Sequence, residues 1–280
     1  MPVPLWALGF PATWKDQVSP LPWTGQLQQD RWVIEHVYPG LRGGYFFEAG
    51  AVDGRELSNT WVLEKEYGWR GLLVEARREA EASLRHYRKG SSIEIALLGE
   101  NDQEENVLHV APMWNHDNTN TTAKFLPLAE SGPEGTFHPS GWVSTGEVHR
   151  TRRLDRLLDE VGAPEFIHYF SLDVEGFEWD VLQTFPWETR RIGALSIEHV
   201  DSGNVHFVEE ARISELLLRH GYVRERVLMQ DSLWVHRTVA QQMQDREVES
   251  KRRRRGRARR PGFAGGSDWS SRGEDHDRYL

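Results

Sequence analysis

The chain has 280 residues, 38% of them hydrophobic, and a formal net charge of −9, a size that suits one α/β domain with extensions or two small domains. It contains no cysteine, which excludes a disulfide framework, a thiolate metal site and a cysteine nucleophile. It also has neither an apolar run long enough to span a bilayer nor a basic N-terminal signal region, so we expect a cytoplasmic protein that does not enter the membrane.

Apolar runs alternate with amphipathic stretches along most of the chain, after an irregular, Pro- and Trp-rich arm at 1–25. Strands are predicted at 44–50, 69–76, 91–99, 166–176, 192–200, 222–229 and 232–237, with a further candidate at 105–114. Helices are predicted at 25–38, 58–68, 78–90, 150–162, 177–185 and 208–221. This alternation predicts one α/β domain over 26–240, built on a mostly parallel seven-stranded sheet that ends in an antiparallel hairpin.

The stretch 112–149 interrupts this alternation, because it has few periodic apolar residues and many Gly, Pro, Asn and Thr. Long connections of this kind inside a compact domain are usually binding loops or lids. The sequence therefore predicts a long loop or lid here.

The C-terminal segment 241–280 differs in charge from the rest of the chain. Residues 250–280 hold ten Lys or Arg and four Asp or Glu, a net charge of +6, so residues 1–249 carry −15. We interpret the segment as a disordered, solvated tail. The alternative is that its basic cluster is a nuclear address or contacts nucleic acid, although the acidic body disfavours a broad nucleic-acid groove.

The first predicted strand ends in an acid and a glycine-framed turn: Glu48, Gly50, Asp53 and Gly54. A dinucleotide fingerprint has three glycines so that pyrophosphate can rest on the helix N-terminus. Here only two glycines remain, and the carboxylate of Asp53 between them would repel pyrophosphate. The pattern favours a ligand that is cationic and carries no phosphate, such as S-adenosylmethionine, over a tight turn with incidental acids.

The second predicted strand ends at Glu75, 21 residues after Gly54. An acid in this position can accept hydrogen bonds from both ribose hydroxyls of a nucleoside. We therefore interpret Glu75 as a ribose-binding residue, rather than as a solvent-facing acid in a loop.

The third acidic strand end is "SLDVEGFEWDVL", in which Asp173 and Glu175 precede a glycine and a helix. Because carboxyl ends of parallel strands meet at one edge of a sheet, Asp173 is expected beside Glu48 and Glu75. Asp173 can face the methyl donor or the acceptor, and Glu175 can orient or deprotonate an acceptor hydroxyl. The structural alternative, which fits Glu175 and Glu178, is that these acids stabilise the positive N-terminal end of the following helix.

Three stretches in order resemble the FkbM-type methyltransferases. "QDRWVIEHVYPGLRGGYFFEAGAVDGRELSNTWVLEKEYGWRGLLVEA" is similar to their first half, "RTRRLDRLLDEVG" with "FIHYFSLDVEGFEWDVLQTF" to their second half, and "HGYVRERVLMQDSLWVHR" to their last strands. The resemblance covers 27–237 and implies a class I, Rossmann-like fold that binds S-adenosylmethionine and commonly methylates an oxygen.

The resemblance also implies roles for individual residues. A first cofactor loop is implied for Glu48, Gly50, Ala51, Asp53 and Gly54, with Ser58, Asn59 and Thr60 fixing the next helix and Glu75 holding the ribose. Many family members follow the second-strand acid with Asn-Pro, where this chain has Ala76-Arg77-Arg78, so the adenine side of the site departs from the family pattern.

Methylation of a hydroxyl requires a base, for which Asp173, Glu198 and His199 are the candidates. No ligand spacing predicts a metal site. The sequence thus predicts an O-methyltransferase for a hydroxylated small molecule or sugar. The alternatives are a nicotinamide-dependent oxidoreductase, a non-catalytic S-adenosylmethionine-binding module and a nucleic-acid methyltransferase, and the oligomeric state stays open.

Overall fold

The computed structural model describes residues 23–110, 123–136, 143–199 and 206–258. Its strands are β1 (Tyr45–Ala49), β2 (Arg70–Glu75), β3 (Ser92–Ile95), β4 (Leu97–Leu98), β5 (Glu105–Val110), β6 (Ala123–Pro127), β7 (Val143–Arg152), β8 (Phe166–Leu172), β9 (Arg191–Glu198), β10 (Tyr222–Leu228) and β11 (Asp231–His236). Its α-helices are α1 (Gln29–Trp32), α2 (Trp61–Lys65), α3 (Glu81–Tyr87), α4 (Leu154–Glu160), α5 (Glu178–Gln183), α6 (His206–Arg219) and α7 (Arg237–Ala258). A π-helical turn, Val33–Val37, continues α1.

Seven strands form the main sheet in the order β10-β11-β9-β8-β1-β2-β3. The five strands β1, β2, β3, β8 and β9 run parallel, whereas β11 is antiparallel to both β9 and β10. This arrangement confirms the predicted α/β fold with a mostly parallel sheet and a closing hairpin. In this topology the carboxyl ends of β1, β2, β8 and β9 lie side by side.

The core lies on both faces of this sheet, because successive side chains of a strand point to opposite faces. Phe46 and Phe47, neighbours in β1, are both fully buried and belong to different clusters. Phe47 stacks on Phe170 of β8 with ring centroids 4.4 Å apart, while Phe46 packs in the cluster that holds Trp32 and Trp69. Burying one such side chain contributes about 1.5–3 kcal/mol, so these apolar runs fix the strand positions.

A second sheet, in the order β4-β7-β5-β6, was missed by the sequence analysis. The predicted strand 91–99 is divided, with β3 in the main sheet and β4 paired in parallel to β7. The predicted loop 112–149 is wrong over β6 and the first residues of β7, while 111–122 and 137–142 lie outside the described residues. The buried positions of β7 include Ser144, His149 and Thr151, and such polar side chains hide the apolar alternation that signals a strand.

The described part of the C-terminal segment is helical, where the sequence predicted disorder from residue 241. Helix α7 extends to Ala258, and 259–280 lie outside the described residues. Opposite charges one turn apart, Glu247 with Lys251 and Glu249 with Arg253, stabilise a helix that buries little apolar surface. The boundary between the chain's two compact units falls after Met243. None of the described helices is long and apolar enough to cross a membrane.

The carboxyl of Asp231, at the start of β11, is buried and couples the stability of the fold to pH. Burial raises its pKa from 3.8 to about 6, opposed by a 2.6 Å hydrogen bond from Gln29 Nε2 and assisted by the charge of Glu198. The folded protein therefore holds this proton to higher pH than the unfolded chain. Ionising Asp231 costs stability as the pH rises from about 4 to about 6.

Replacing Asp231 with asparagine is expected to stabilise the protein by on the order of 2 kcal/mol at pH 7 and to leave its stability nearly unchanged at pH 4. Asparagine keeps an oxygen that can accept the Gln29 hydrogen bond but cannot ionise. Urea unfolding across pH 4–8 measures the difference. Glu81→Gln, which removes a half-exposed carboxylate, is the control. An equal gain at both pH values would contradict the expectation.

Candidate functional site

A cavity of about 580 Å³ opens at the carboxyl ends of β1, β2, β8 and β9. Its volume lies within the roughly 300–1,000 Å³ of small-molecule sites. Glu48, Glu75 and Asp173 all line it, so the expected meeting of three acidic strand ends is observed. The second sheet contributes to the wall as well, through Leu97, Leu98 and Phe125, which the sequence analysis did not anticipate.

The loop 50–60, which follows β1, forms one wall of the cavity and has an unusual backbone. Gly50 and Gly54 have φ of 84° and 82°, and two non-glycine residues, Val52 and Leu57, also have positive φ, 49° and 58°. Such conformations cost on the order of 1–3 kcal/mol each at non-glycine residues and persist only where surrounding contacts enforce them. The loop must therefore be held by specific partners.

The first of these partners is the end of β2. The amides of Gly50 and Ala51 donate to the carbonyl of Val74 at 3.0 and 3.1 Å, and the amide of Val52 donates to Glu75 Oε2 at 2.8 Å. These bonds place the predicted loop residues directly beside the predicted ribose-binding acid.

Asp53, in the same loop, uses its carboxylate locally. Its Oδ1 accepts hydrogen bonds from the amides of Arg55 and Glu56, both at 2.8 Å, which closes a turn at the loop tip. Asp53 also lines the cavity. Its carboxylate thus shapes the loop and contributes negative charge to the cavity wall.

Glu48, at the end of β1, is buried and its charge is already paired. Its carboxylate accepts hydrogen bonds from Ser58 Oγ, the Asn59 amide, Thr60 Oγ1 and, at 3.4 Å, Arg88 Nη1. The sequence analysis did not anticipate this pairing with Arg88. The contacts of Glu48 tie the end of β1 to the segment that begins α2.

Ser58 and Asn59 perform two different tasks at this segment. Ser58 Oγ accepts from the amide of Trp61, the first residue of α2, at 3.1 Å, whereas the N-cap of α2 is Thr60. Asn59 is buried, and its Nδ2 donates to Ser171 Oγ on β8 at 2.9 Å. Asn59 Oδ1 lies against Gly25, is buried away from the open cavity and has no donor among the described residues.

Glu75 is buried at the end of β2 and lines the cavity. Besides the Val52 amide, its carboxylate accepts from the amide and the Nε of Arg77, at 3.0 and 3.1 Å. Each carboxylate oxygen has two lone pairs, so Oε1 is filled by its two Arg77 donors and Oε2 keeps capacity for one further donor. The pairing with Arg77 was not predicted, and it fixes the carboxylate in one orientation.

Asp173, Glu175 and Glu198 form an acidic cluster on the opposite wall, each with a carboxylate oxygen within 4.8 Å of the others. Burial, a hydrogen bond with Glu198 and the charges of both neighbours raise the pKa of Asp173 well above its ordinary value. The protonated form of Asp173 is therefore favoured beside Glu198. No second observation points to a metal ion here, and we propose none.

Glu178, the first residue of α5, shows which acid of the "DVEGFE" stretch is structural. It is buried, and its carboxylate accepts from the amides of Val174 and Gly176 at 2.9 and 3.1 Å. Burial raises its pKa to about 7, although these hydrogen bonds lower it. Glu178 therefore matches the structural alternative considered for this stretch. Glu175 has a φ of 55° and lines the cavity.

His199, predicted as a base, does not line the cavity. It follows β9, and its Nε2 lies 2.6 Å from Ser232 Oγ on β11. Of the three candidate bases, Asp173 and Glu198 line the cavity and His199 does not.

The cavity is strongly acidic. Among the described residues that line it, Arg77 is the basic one, against eight carboxylates: Glu48, Asp53, Glu56, Glu75, Glu79, Asp173, Glu175 and Glu198. Glu48 is paired with Arg88 and Glu75 with Arg77, and the other acids of the wall favour a cationic ligand over a phosphate.

Comparison with known proteins identifies one family. The family model described as methyltransferase FkbM domain matches residues 48–224, which include all the acidic strand ends. No curated protein matches the chain.

Solved structures give weaker likenesses. They include precorrin-6y C5,15-methyltransferase from Geobacter metallireducens GS-15, at 10% identity over 79% of this chain and 93% of that one, with a TM-score of 0.38. A SAM-dependent methyltransferase from Aquifex aeolicus has 14% identity over 84% and 97%, with a TM-score of 0.35. Mitomycin 7-O-methyltransferase has 11% identity over 74% and 52%, with a TM-score of 0.31. At these scores the structures add nothing to the family match.

Proposed function

Because the chain belongs to the FkbM methyltransferase family and is an S-adenosylmethionine-dependent methyltransferase, we propose that it methylates a hydroxyl oxygen of a small molecule or sugar. The observation that carries the proposal is the cavity in which the ends of β1, β2 and β8 meet, with eight carboxylates on its wall and one basic side chain among the described residues. The roles assigned below to individual residues are part of the proposal.

The side chains of the cavity fit S-adenosylmethionine. Glu75 is held at a strand end with acceptor capacity on Oε2, where a ribose hydroxyl could bind. The methyl donor also carries an ammonium group and a sulfonium cation, which suit the acids Asp53, Asp173 and Glu175 of the wall, and it carries no phosphate.

The same wall disfavours the nicotinamide alternative. A dinucleotide brings a pyrophosphate to the loop after the first strand, where backbone amides normally receive it. Here Asp53 Oδ1 already takes the amides of Arg55 and Glu56, and Glu75 takes that of Val52. These amides are occupied, and their partners are themselves negatively charged.

S-adenosylmethionine supplies an electrophilic methyl group, and the chain's task is to position the acceptor and to take its proton. An acceptor hydroxyl beside Asp173 could transfer its proton to a carboxylate of the cluster that Asp173 forms with Glu198. The acceptor oxygen then bonds to the methyl carbon as the carbon–sulfur bond breaks, and S-adenosylhomocysteine leaves. Placing the reactants in line contributes much of the rate.

Glu175 stands next to this pair and is proposed to orient the acceptor. It lies within 4.8 Å of both other carboxylates and lines the cavity. A carboxylate here can accept a hydrogen bond from a second hydroxyl of the acceptor, which fits a polyhydroxylated molecule such as a sugar.

Calorimetric titration tests the cofactor. We expect S-adenosylhomocysteine to bind at micromolar concentration or better and NADH to give no saturable heat. Saturable binding of NADH without binding of S-adenosylhomocysteine would instead support the oxidoreductase alternative.

The oxygen specificity requires a separate experiment. S-adenosylmethionine with a ¹³C methyl group is incubated with the protein and a panel of hydroxylated small molecules and sugars. The carbon shift of the labelled product then identifies the atom to which the methyl is bound. A methyl on nitrogen or carbon would contradict oxygen transfer, and persistent lack of turnover despite tight binding would favour the non-catalytic module.

A further inference from the structure

Arg88 lies at the end of α3, is fully buried and does not line the cavity. Its guanidinium nevertheless donates to five residues around the loop 50–60. Nη1 reaches the Gly54 carbonyl at 3.2 Å, Ser58 Oγ at 3.1 Å and Glu48 at 3.4 Å. Nη2 reaches Thr60 Oγ1 at 2.8 Å, and Nε reaches Glu64 at 3.0 Å. A single buried side chain thus connects β1, the loop and α2.

The charge of Arg88 is matched by two buried carboxylates, one from each side of the loop. Glu48 ends β1, and Glu64 lies in α2. Although burial raises the pKa of Glu64, the charge and hydrogen bonds of Arg88, with help from Lys65 and Ser91, lower it below its ordinary value. Removing the cation would therefore leave two buried carboxylates without their shared partner, which is strongly unfavourable.

Arg88 contacts the loop on either side of a residue whose backbone has a positive φ. Gly54 has a φ of 82°, and a Cβ there would lie 2.9 Å from Arg88 Cγ, so the glycine admits the arginine stem. Between Gly54 and Ser58, both bound by the guanidinium, lies Leu57 with its positive φ of 58°. The residues next to these, Asp53 and Asn59, line the cavity. Arg88 thus fixes the backbone directly behind the predicted cofactor contacts.

We propose that Arg88 is a positioning residue for the methyl donor: by clamping the Gly54 carbonyl, Ser58 and Thr60, it holds the loop in its binding conformation. This inference rests on the proposed S-adenosylmethionine site. It assigns a role in cofactor affinity to a side chain that does not touch the cofactor. A side chain with only a structural role would lower stability and leave the affinity of the folded protein unchanged.

The test uses Arg88→Met and Arg88→Lys in the full chain. The Kd for S-adenosylhomocysteine is measured by calorimetry well below the unfolding temperature, and amide hydrogen exchange is followed by mass spectrometry over 54–60. We expect Arg88→Met to raise Kd by at least about tenfold and to speed exchange in this segment. Lysine supplies a point charge without the planar fork, so Arg88→Lys should recover part of both losses.

Leu217→Ala is the matched control, because Leu217 is fully buried in α6 within the core cluster on the other face of the sheet. It should lower the unfolding temperature without changing Kd or the exchange over 54–60. Unchanged Kd in both Arg88 variants, or an equal rise in Leu217→Ala, would overturn the proposal. If Arg88→Met does not fold, Arg88→Lys alone decides. Failure of the unmodified protein to bind S-adenosylhomocysteine would refute the proposed function itself, which is a separate result.

Discussion

Replacing Glu75 with alanine is expected to weaken the binding of S-adenosylhomocysteine by about 3 kcal/mol, roughly a hundredfold in Kd. A hydrogen bond to a charged group is worth about 1.5–3 kcal/mol, and a ribose hydroxyl would donate one to Oε2 of this carboxylate. The change also leaves the Val52 amide and the Arg77 guanidinium without their acceptor. The loss should therefore lie at the upper end of that range.

Two further variants distinguish the effect of negative charge on the cavity wall from the support that the Glu75 side chain gives to the loop. Glu75→Gln keeps the side chain's size and one acceptor oxygen, so it should weaken binding by an intermediate amount. Glu79→Ala removes an exposed carboxylate from the same cavity wall and should leave Kd nearly unchanged. Calorimetry with S-adenosylhomocysteine measures all three. An unchanged affinity in folded Glu75→Ala would remove Glu75 from the site.

The central strands of the main sheet could be predicted from the sequence because they are buried on both faces. Mostly apolar runs such as Phe166–Leu172, bounded by turn residues, have few other interpretations. The second sheet could not, because one face of β7 buries polar side chains and β4 is only two residues long. The helix Arg237–Ala258 was not predicted either, because composition alone does not reveal charge pairs one helical turn apart.

The position of the candidate site followed from topology, whereas the pairing of its charges did not. Acids at the ends of parallel strands must meet at one edge of the sheet, so Glu48, Glu75 and Asp173 could be grouped in advance. Their partners come from elsewhere. Arg88 is 40 residues from Glu48 in sequence, and its place in the predicted helix 78–90 does not indicate that the two side chains meet. Which acid stays free for a ligand depends on such contacts.

Replacing Gly50 with alanine is expected to destabilise the protein by on the order of 3–5 kcal/mol and to abolish measurable binding of S-adenosylhomocysteine. Two effects add. Alanine is strained at a φ of 84°, and its Cβ would overlap the backbone carbonyl oxygen of Asp173. Backbone cannot swing away as a flexible side chain can, so β1 and β8 would have to separate just where Glu48 and Asp173 end their strands.

Gly68→Ala provides the matched control for this change. Gly68 also has a positive φ, 65°, but a Cβ there would meet nothing within 4 Å. The Gly68→Ala variant should lose only the free energy of unfolding that a positive φ costs an alanine, about 1–2 kcal/mol. It should bind S-adenosylhomocysteine normally. Urea unfolding and calorimetry on both variants isolate the contribution of the Gly50–Asp173 contact. Equal losses of stability in the two variants would mean that β1 and β8 need not approach so closely, and normal binding by Gly50→Ala would place the cofactor away from this strand junction.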